Sequence, residues 1–407
     1  MDKYYLGWGP IVKSEASKMQ NRIRSATVSG LPAVGVVLIG AMGLPTVAFA
    51  QWTVTRLNSA GIAYGVSGTQ QVGHSTGHAM LWNGSASSQI DLHPVVALNS
   101  VALGVFDGEQ VGQVQIGDAI HASLWTGLAS SWVDLHPLGA TQSAALGVFA
   151  GQQAGYAHVD GVAHASFWTG SASSWVDLHP AGSRWSSASG IGDGQQVGGA
   201  QFGESTHDHA SLWTGSAASW VDLSPVGATY SCAVSASGGQ QVGNAFVNGI
   251  ERASLWSGSA VSWVDLNPPG ATESAANGVF RGQQVGYVRI GDAPHASLWN
   301  GSPSSWLDLH GFLPPEFTSS VAKSIWSDVR FTRVVGYGVT SQPGGGGAIL
   351  WTLCHADFDD DGTLDFFDYD AFVVAFEVGE PGSDFDHDGA TDFFDYDEFV
   401  RAFESGC

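Results

Sequence analysis

Two stretches near the C-terminus place carboxylates at the intervals that a hard divalent cation requires. Asp357, Asp359, Asp361, Asp365 and Asp368 occupy positions 1, 3, 5, 9 and 12 of a twelve-residue segment, with Gly362 at position 6. Starting 27 residues later, Asp384, Asp386, Asp388, Asp392 and Asp395 repeat the arrangement around Gly389. Calcium takes about six to eight oxygens, and glycine at position 6 permits the sharp turn that gathers them. Position 7, Thr363 or Ala390, would contribute its backbone carbonyl, so its side chain is free to vary. Five carboxylates in so short a span repel one another without a cation. Two calcium ions are therefore the expected cofactor, with binding coupled to folding. The alternative is a disordered acidic tail, and two aligned copies, each with its glycine in place, argue against it.

Other polar residues recur with less chemical promise. Histidine returns at 78, 121, 164, 209 and 295, with Arg252 and Gly347 at the two remaining equivalent places, and aspartate returns at 91, 134, 177, 222, 265 and 308. Residues repeated around a ring diverge from one another, so hydrogen bonds at hairpins and turns are expected of them rather than a shared metal ion. Gly73-His74-Ser75-Thr76-Gly77 fits a hydrolase nucleophile pattern but falls between two strand candidates, where the required strand–turn–helix is missing. No other catalytic pattern is present, and the expected catalytic set is empty.

Each acidic loop runs into a helical pattern. Phe372 and Phe376, then Phe399 and Phe403, stand four residues apart on one face. Cys354 and Cys407 bracket this tail and are the expected disulfide, which implies an oxidising compartment. The third cysteine, Cys232, replaces a small residue of a repeat and reads as a buried filler. From His355 onward there are 13 Asp and 4 Glu against Arg401, a net of -16, so the remaining residues carry -7 of the total -23. Acidity is thus local to the tail, and nothing basic offers a nucleic-acid footprint.

The larger part of the chain is periodic. Tryptophan recurs in one phrase at 82, 125, 168, 213, 256, 299 and 351, at spacings of 43, 43, 45, 43, 43 and 52. Each interval holds four short strand candidates separated by turn residues, as in Ser143–Phe149, Gly151–Val159, His164–Trp168 and Ser174–Pro180. That period and content predict a blade of a β-propeller. Gln51-Trp52-Thr53-Val54-Thr55-Arg56-Leu57 reads as a fourth strand, while the array ends at Trp351 on a third strand. The N-terminal strand therefore completes the last blade, giving a mainly β fold. It is a seven-bladed propeller over 51–353 with a small helical calcium-loop module over 354–407. An open solenoid is the alternative.

The phrases His121-Ala-Ser-Leu-Trp125, His209-Ala-Ser-Leu-Trp213 and His295-Ala-Ser-Leu-Trp299, with Val111-Gly112, Val197-Gly198 and Val285-Gly286, resemble the extracellular HAF-repeat family. Serine stands where that family has phenylalanine. The resemblance implies an exported protein and no particular reaction. The tail, two loops of EF-hand spacing each with only its exiting helix and with Asp at position 12, resembles type I dockerins. That resemblance implies a cohesin-like partner recognised through polar residues at loop positions 10 and 11. Here those positions are Phe366-Phe367 and Phe393-Phe394, a departure that leaves another extracellular protein or a glycan as the partner. The phenylalanines are expected to pack the two halves together.

Residues 1–50 read as an export signal. Arg22 and Arg24 precede the apolar run Leu31–Val47, which ends in Ala48-Phe49-Ala50; residues 1–18 read either as an extended basic region before it or as the product of a misplaced start codon ahead of Met19. The expectation is a secreted or cell-surface monomer, without a transmembrane span after cleavage and more scaffold than enzyme. A glycan-binding propeller and a polysaccharide-active enzyme are the alternatives. The second tryptophan set (Trp132, Trp175, Trp220, Trp263 and Trp306) is expected near an outer edge, free to contact a partner.

Overall fold

The computed structural model describes residues 52–203, 207–342, 345–359, 361–385 and 389–406. The expected export signal lies outside the described residues, and so do Gln51, Asp386, Asp388 and Cys407. Seven four-stranded antiparallel sheets follow one another along the chain, so the protein is a seven-bladed β-propeller. Within the second blade the strands lie in chain order, Asn99–Phe106, Glu109–Ile116, Ala119–Trp125 and the two-residue strand Val133–Asp134, each paired with the next. Asp107 and Gly108 join the first two strands at φ 45° and 85°. Both are left-handed, as a two-residue hairpin turn requires. The repeated Val-Gly has a steric cause: a Cβ at Gly112 would overlap the carbonyl of Val101 on the paired strand.

The ring closes as the array's ends predict. Thr53–Arg56 pairs antiparallel with Gly347–Cys354 in the register Val54 to Trp351, and supplies the fourth strand of the last blade. Leu57 extends that pairing by donating its N–H to Ala348 O at 2.9 Å. With closure the outer strand edge left by Trp351 is paired and the open solenoid is excluded.

The core lies between blades rather than within them. Trp125 is fully buried among Val72, Ala79, Leu81 and Leu92 of the preceding blade and Ala102 and Val105 of its own. The same tryptophan is buried at all seven places, so each blade inserts one large side chain against its neighbour.

The tail folds as two helices, α1 (Phe366–Val378) and α2 (Phe393–Ser405). Phe372 stacks on Phe399 with ring centroids 3.8 Å apart and planes 4° apart. Tyr369 Oη lies 2.6 Å from Tyr396 Oη. Both pairs join residues 27 apart in the chain, so equivalent side chains of the two copies meet each other, as a local twofold requires. The module rests on the last blade: His355 donates its N–H to Arg330 O at 2.9 Å, and Val329 packs against the phenylalanine core.

Candidate functional site

In the first acidic loop, carboxylate oxygens of Asp357, Asp359 and Asp361 all lie within 4.8 Å of one another. Gly362 at φ 83° turns the backbone back, and its N–H donates to Asp357 Oδ2 at 3.0 Å. Positions 9 and 12 do a different job. Asp365 caps α1 by accepting from Phe367 N at 2.8 Å. Asp368, fully buried, accepts from Asp359 N at 3.1 Å and Asp365 N at 2.7 Å. Positions 1, 3 and 5 thus converge, while 9 and 12 tie the loop to the helix. A carboxylate oxygen with one hydrogen bond keeps a second lone pair, so capping does not remove Asp368 from reach of a cation.

The second loop repeats this plan where it is described. Gly389, at φ 91°, donates to Asp384 Oδ2 at 3.0 Å, Asp392 caps α2 through Phe394 N at 2.8 Å, and Asp395 accepts from Phe385 N at 2.6 Å and Asp392 N at 2.7 Å. Among the described residues Asp384 Oδ1 is buried with no hydrogen-bond partner. An orphaned buried carboxylate oxygen costs free energy, and it stands at position 1, where the spacing calls for a ligand. Asp357 and Asp359 are held above the usual carboxylate range, first by burial and further by the neighbouring aspartates. All-oxygen donors, a glycine turn and an excess of negative charge fit a hard cation of calcium's size. Thr363 and Ala390 follow the turning glycines, where the spacing calls for a carbonyl.

The paired phenylalanines depart from the packing expected of them. Phe367 and Phe394 are 65% and 66% exposed, and Phe366 and Phe393 are 37% and 49% exposed. The halves are joined instead by Phe372, Phe399 and the two tyrosines, whose positions later in each helix face the partner helix.

The repeated histidines and aspartates form latches between blades, a role that hairpin chemistry did not anticipate. His121 Nδ1 donates to Asp134 Oδ2 at 2.8 Å, and Asp134 Oδ1 accepts from His136 N at 2.8 Å. His136 stacks on His121 at 4.1 Å, and its Nδ1 lies 2.8 Å from Ser143 Oγ on the next blade. Ser143 Oγ also accepts from Ala122 N. Because Ala140 O, 2.9 Å from His136 Nε2, can only accept, Nε2 carries the proton and Nδ1 takes the serine hydroxyl. Two of the first six junctions vary this set in one member or two. Ser224 stands for the second histidine in one, and Arg252 with Asn267 replaces both histidines in another. In the sixth, His295, Asp308, His310 and Ser320 keep it whole. The closing junction has Gly347 and Arg56 instead and is held by strand pairing.

Burial holds His136, His179 and His310 below the usual imidazole range, and the stacked histidine adds to it. An unfolded histidine titrates at about 6.5. Below that pH the unfolded chain binds protons that the latches resist, so stability is full above it and is lost as pH falls. Thermal unfolding is expected at a lower midpoint at about pH 5 than at about pH 7, with a shallower pH dependence in His136→Asn, which copies Asn267.

The second tryptophan set is pinned rather than free: Trp132 Nε1 donates to Ser123 Oγ at 3.0 Å, and its equivalents do the same. Ser75 ends a strand, followed by a turn at Thr76-Gly77 and another strand, so the Gly73–Gly77 pattern is a hairpin and no nucleophile elbow. Cys232 is free, and burial pushes its thiol up to about 12, with Asp208 adding to the shift. It is a filler. Cys354 is not free. None of the described helices is long and apolar enough to cross a membrane.

No family model and no curated protein matches the chain. Among solved structures it is similar to a puromycin hydrolase, at 12% identity and TM-score 0.50 over 72% of this chain and 53% of that one. It is similar also to a puromycin-hydrolyzing peptidase from Mycobacterium tuberculosis, at 11% identity and TM-score 0.50 over 74% and 53%. The chain spans about half the length of these two structures. At such identity the likeness is one of fold, and what the two have in common with this chain is a propeller.

Proposed function

We propose that the protein is an exported propeller scaffold, attached to an extracellular or cell-surface assembly through a calcium-ordered, dockerin-like module. The observation that carries this reading is the duplicated acidic loop. Three carboxylates converge in the first copy, and at position 1 of the second stands a buried carboxylate oxygen with no hydrogen-bond partner among the described residues. Calcium would be held by Asp357, Asp359, Asp361, Asp365, Asp368 and the Thr363 carbonyl. The second ion would use Asp384, Asp386, Asp388, Asp392, Asp395 and the Ala390 carbonyl. A disulfide between Cys354 and Cys407 would clasp the ends of the module and suits an oxidising compartment. The four exposed phenylalanines are the contacts proposed for a protein partner, since a large aromatic surface in water favours burial against another molecule.

The scaffold reading is favoured over an enzyme by the repeated polar residues. Among the described residues the repeated histidines and aspartates are engaged in latches, turns and caps. The experiment is a polysaccharide array with turnover measured on the same panel, together with capture of extracellular proteins in calcium. Calcium-dependent capture that is lost in Phe367→Asp/Phe394→Asp, without turnover, is the expected result. Turnover of any polysaccharide would sink the scaffold reading, and calcium-independent capture would sink the role of the module.

A further inference from the structure

Seven near-copies of one blade surround the axis, yet one position in them is different almost every time. In each first strand the pairing slips by one residue, between Ala63 and Gly65 in the first blade and at the matching place in the others. The residue left over is a bulge, and bulges re-aim side chains. All seven bulge residues line a single cavity of about 340 Å³ where the first strands meet. The alanines just before them are fully buried packing residues, whereas the bulge residues are half-buried. Packing therefore holds the alanines alike and leaves the bulges free to differ.

The ring is sided. Adjacent blades six, seven and one contribute Asn277, Lys323 and Tyr64, and blades two and three contribute Leu103 and Leu146. Lys323 is the cation of the lining, and among the described residues no carboxylate forms an ion pair with it. Its Nζ stands 6.0 Å above the ring of Tyr337. Asn277 Nδ2 braces the arc by donating to Ala322 O at 2.8 Å, and Tyr64 is stacked on His74 with centroids 5.7 Å apart. Burial lowers the Lys323 ammonium from its ordinary range. A partly desolvated charge without a counterion is costly, and an incoming anion would relieve that cost.

We propose that this channel binds a small organic carboxylate with an apolar body, its carboxylate on Lys323 and its apolar part against Leu103 and Leu146. The site is independent of the calcium module and of what that module attaches to.

Titration calorimetry of the full chain in calcium, with hexanoate, acetate and hexanamide as probes, tests it. Hexanoate is expected to bind at one site and hexanamide at least about tenfold more weakly, the worth of one charge-assisted contact. Lys323→Met is expected to weaken hexanoate about tenfold or more and Lys323→Arg to retain it. Leu146→Ser is expected to weaken hexanoate and leave acetate unchanged. Lys323→Met removes a desolvated charge and so folds at least as stably as the parent. Hexanoate should then raise the thermal midpoint of the parent and not of the variant. Equal binding of hexanoate and hexanamide, no binding of either, or an unchanged affinity in Lys323→Met would each overturn the proposal.

Discussion

Chelating calcium from the full-length protein is expected to melt α1 and α2 while the propeller stays folded. The helical circular-dichroism signal, carried by two helices of 13 residues each, should fall and the β signal remain. The argument starts from the loops. Asp357 and Asp359 are held up by burial and by their neighbours, so an ion-free loop opposes the turn that begins α1. The caps depend on that turn, because Asp368 accepts N–H groups from both the loop and the helix start. A site filled at a hundred times its dissociation constant adds about 2.7 kcal/mol, and two sites about twice that. That is a large share of what a module this small can hold. Loss should spread from one copy to the other through the Phe372–Phe399 stack. Asp357→Ala and Asp384→Ala should each lower the calcium needed for stability to a single ion by calorimetry. A helical signal indifferent to a chelator would remove calcium from the account of the tail.

The second large effect lies in the propeller. Trp168→Ala is expected to destabilise it by about 3–5 kcal/mol, the usual loss for truncating a large buried aromatic side chain. Trp168 is fully buried between Val111, Ala122, Leu124 and Leu135 of one blade and Ala145 and Val148 of the next. No small residue nearby can close the gap, because both walls are strands held in register. Its Nε1 is buried without a hydrogen-bond partner among the described residues, so the residue contributes through shape and apolar area rather than through its polar atom. Trp168→Phe should therefore lose less than Trp168→Ala. Guanidinium unfolding followed by fluorescence measures both, and equal losses in the two variants would mean that volume is not what the site requires. Trp351 differs: its Nε1 donates to Leu309 O at 3.1 Å, so Trp351→Phe should cost more than Trp168→Phe.

The amino-acid sequence by itself determined the blade count, the closing strand, the acidic loops and the helices that follow them. These features rest on local chemistry repeated at a fixed interval. A tryptophan every forty-odd residues, a left-handed hairpin pair such as Asp107-Gly108, and a glycine amid five aspartates are each legible without knowledge of what lies across from them.

What the tertiary structure alone decided are the partnerships between blades and between helices. His121 and Asp134 are 13 residues apart, and His136 reaches Ser143 on the following blade. Nothing in their spacing says that a twisted sheet edge brings them together. The same holds for Phe366-Phe367 and Phe393-Phe394. Apolar type alone pointed inward, but they sit at the helix starts, before the turn where Phe372 and Phe399 meet, and they remain in water. The bulge residues are the clearest case. Tyr64, Leu146 and Lys323 lie far apart in the chain, and only closure of the ring turns them toward one cavity.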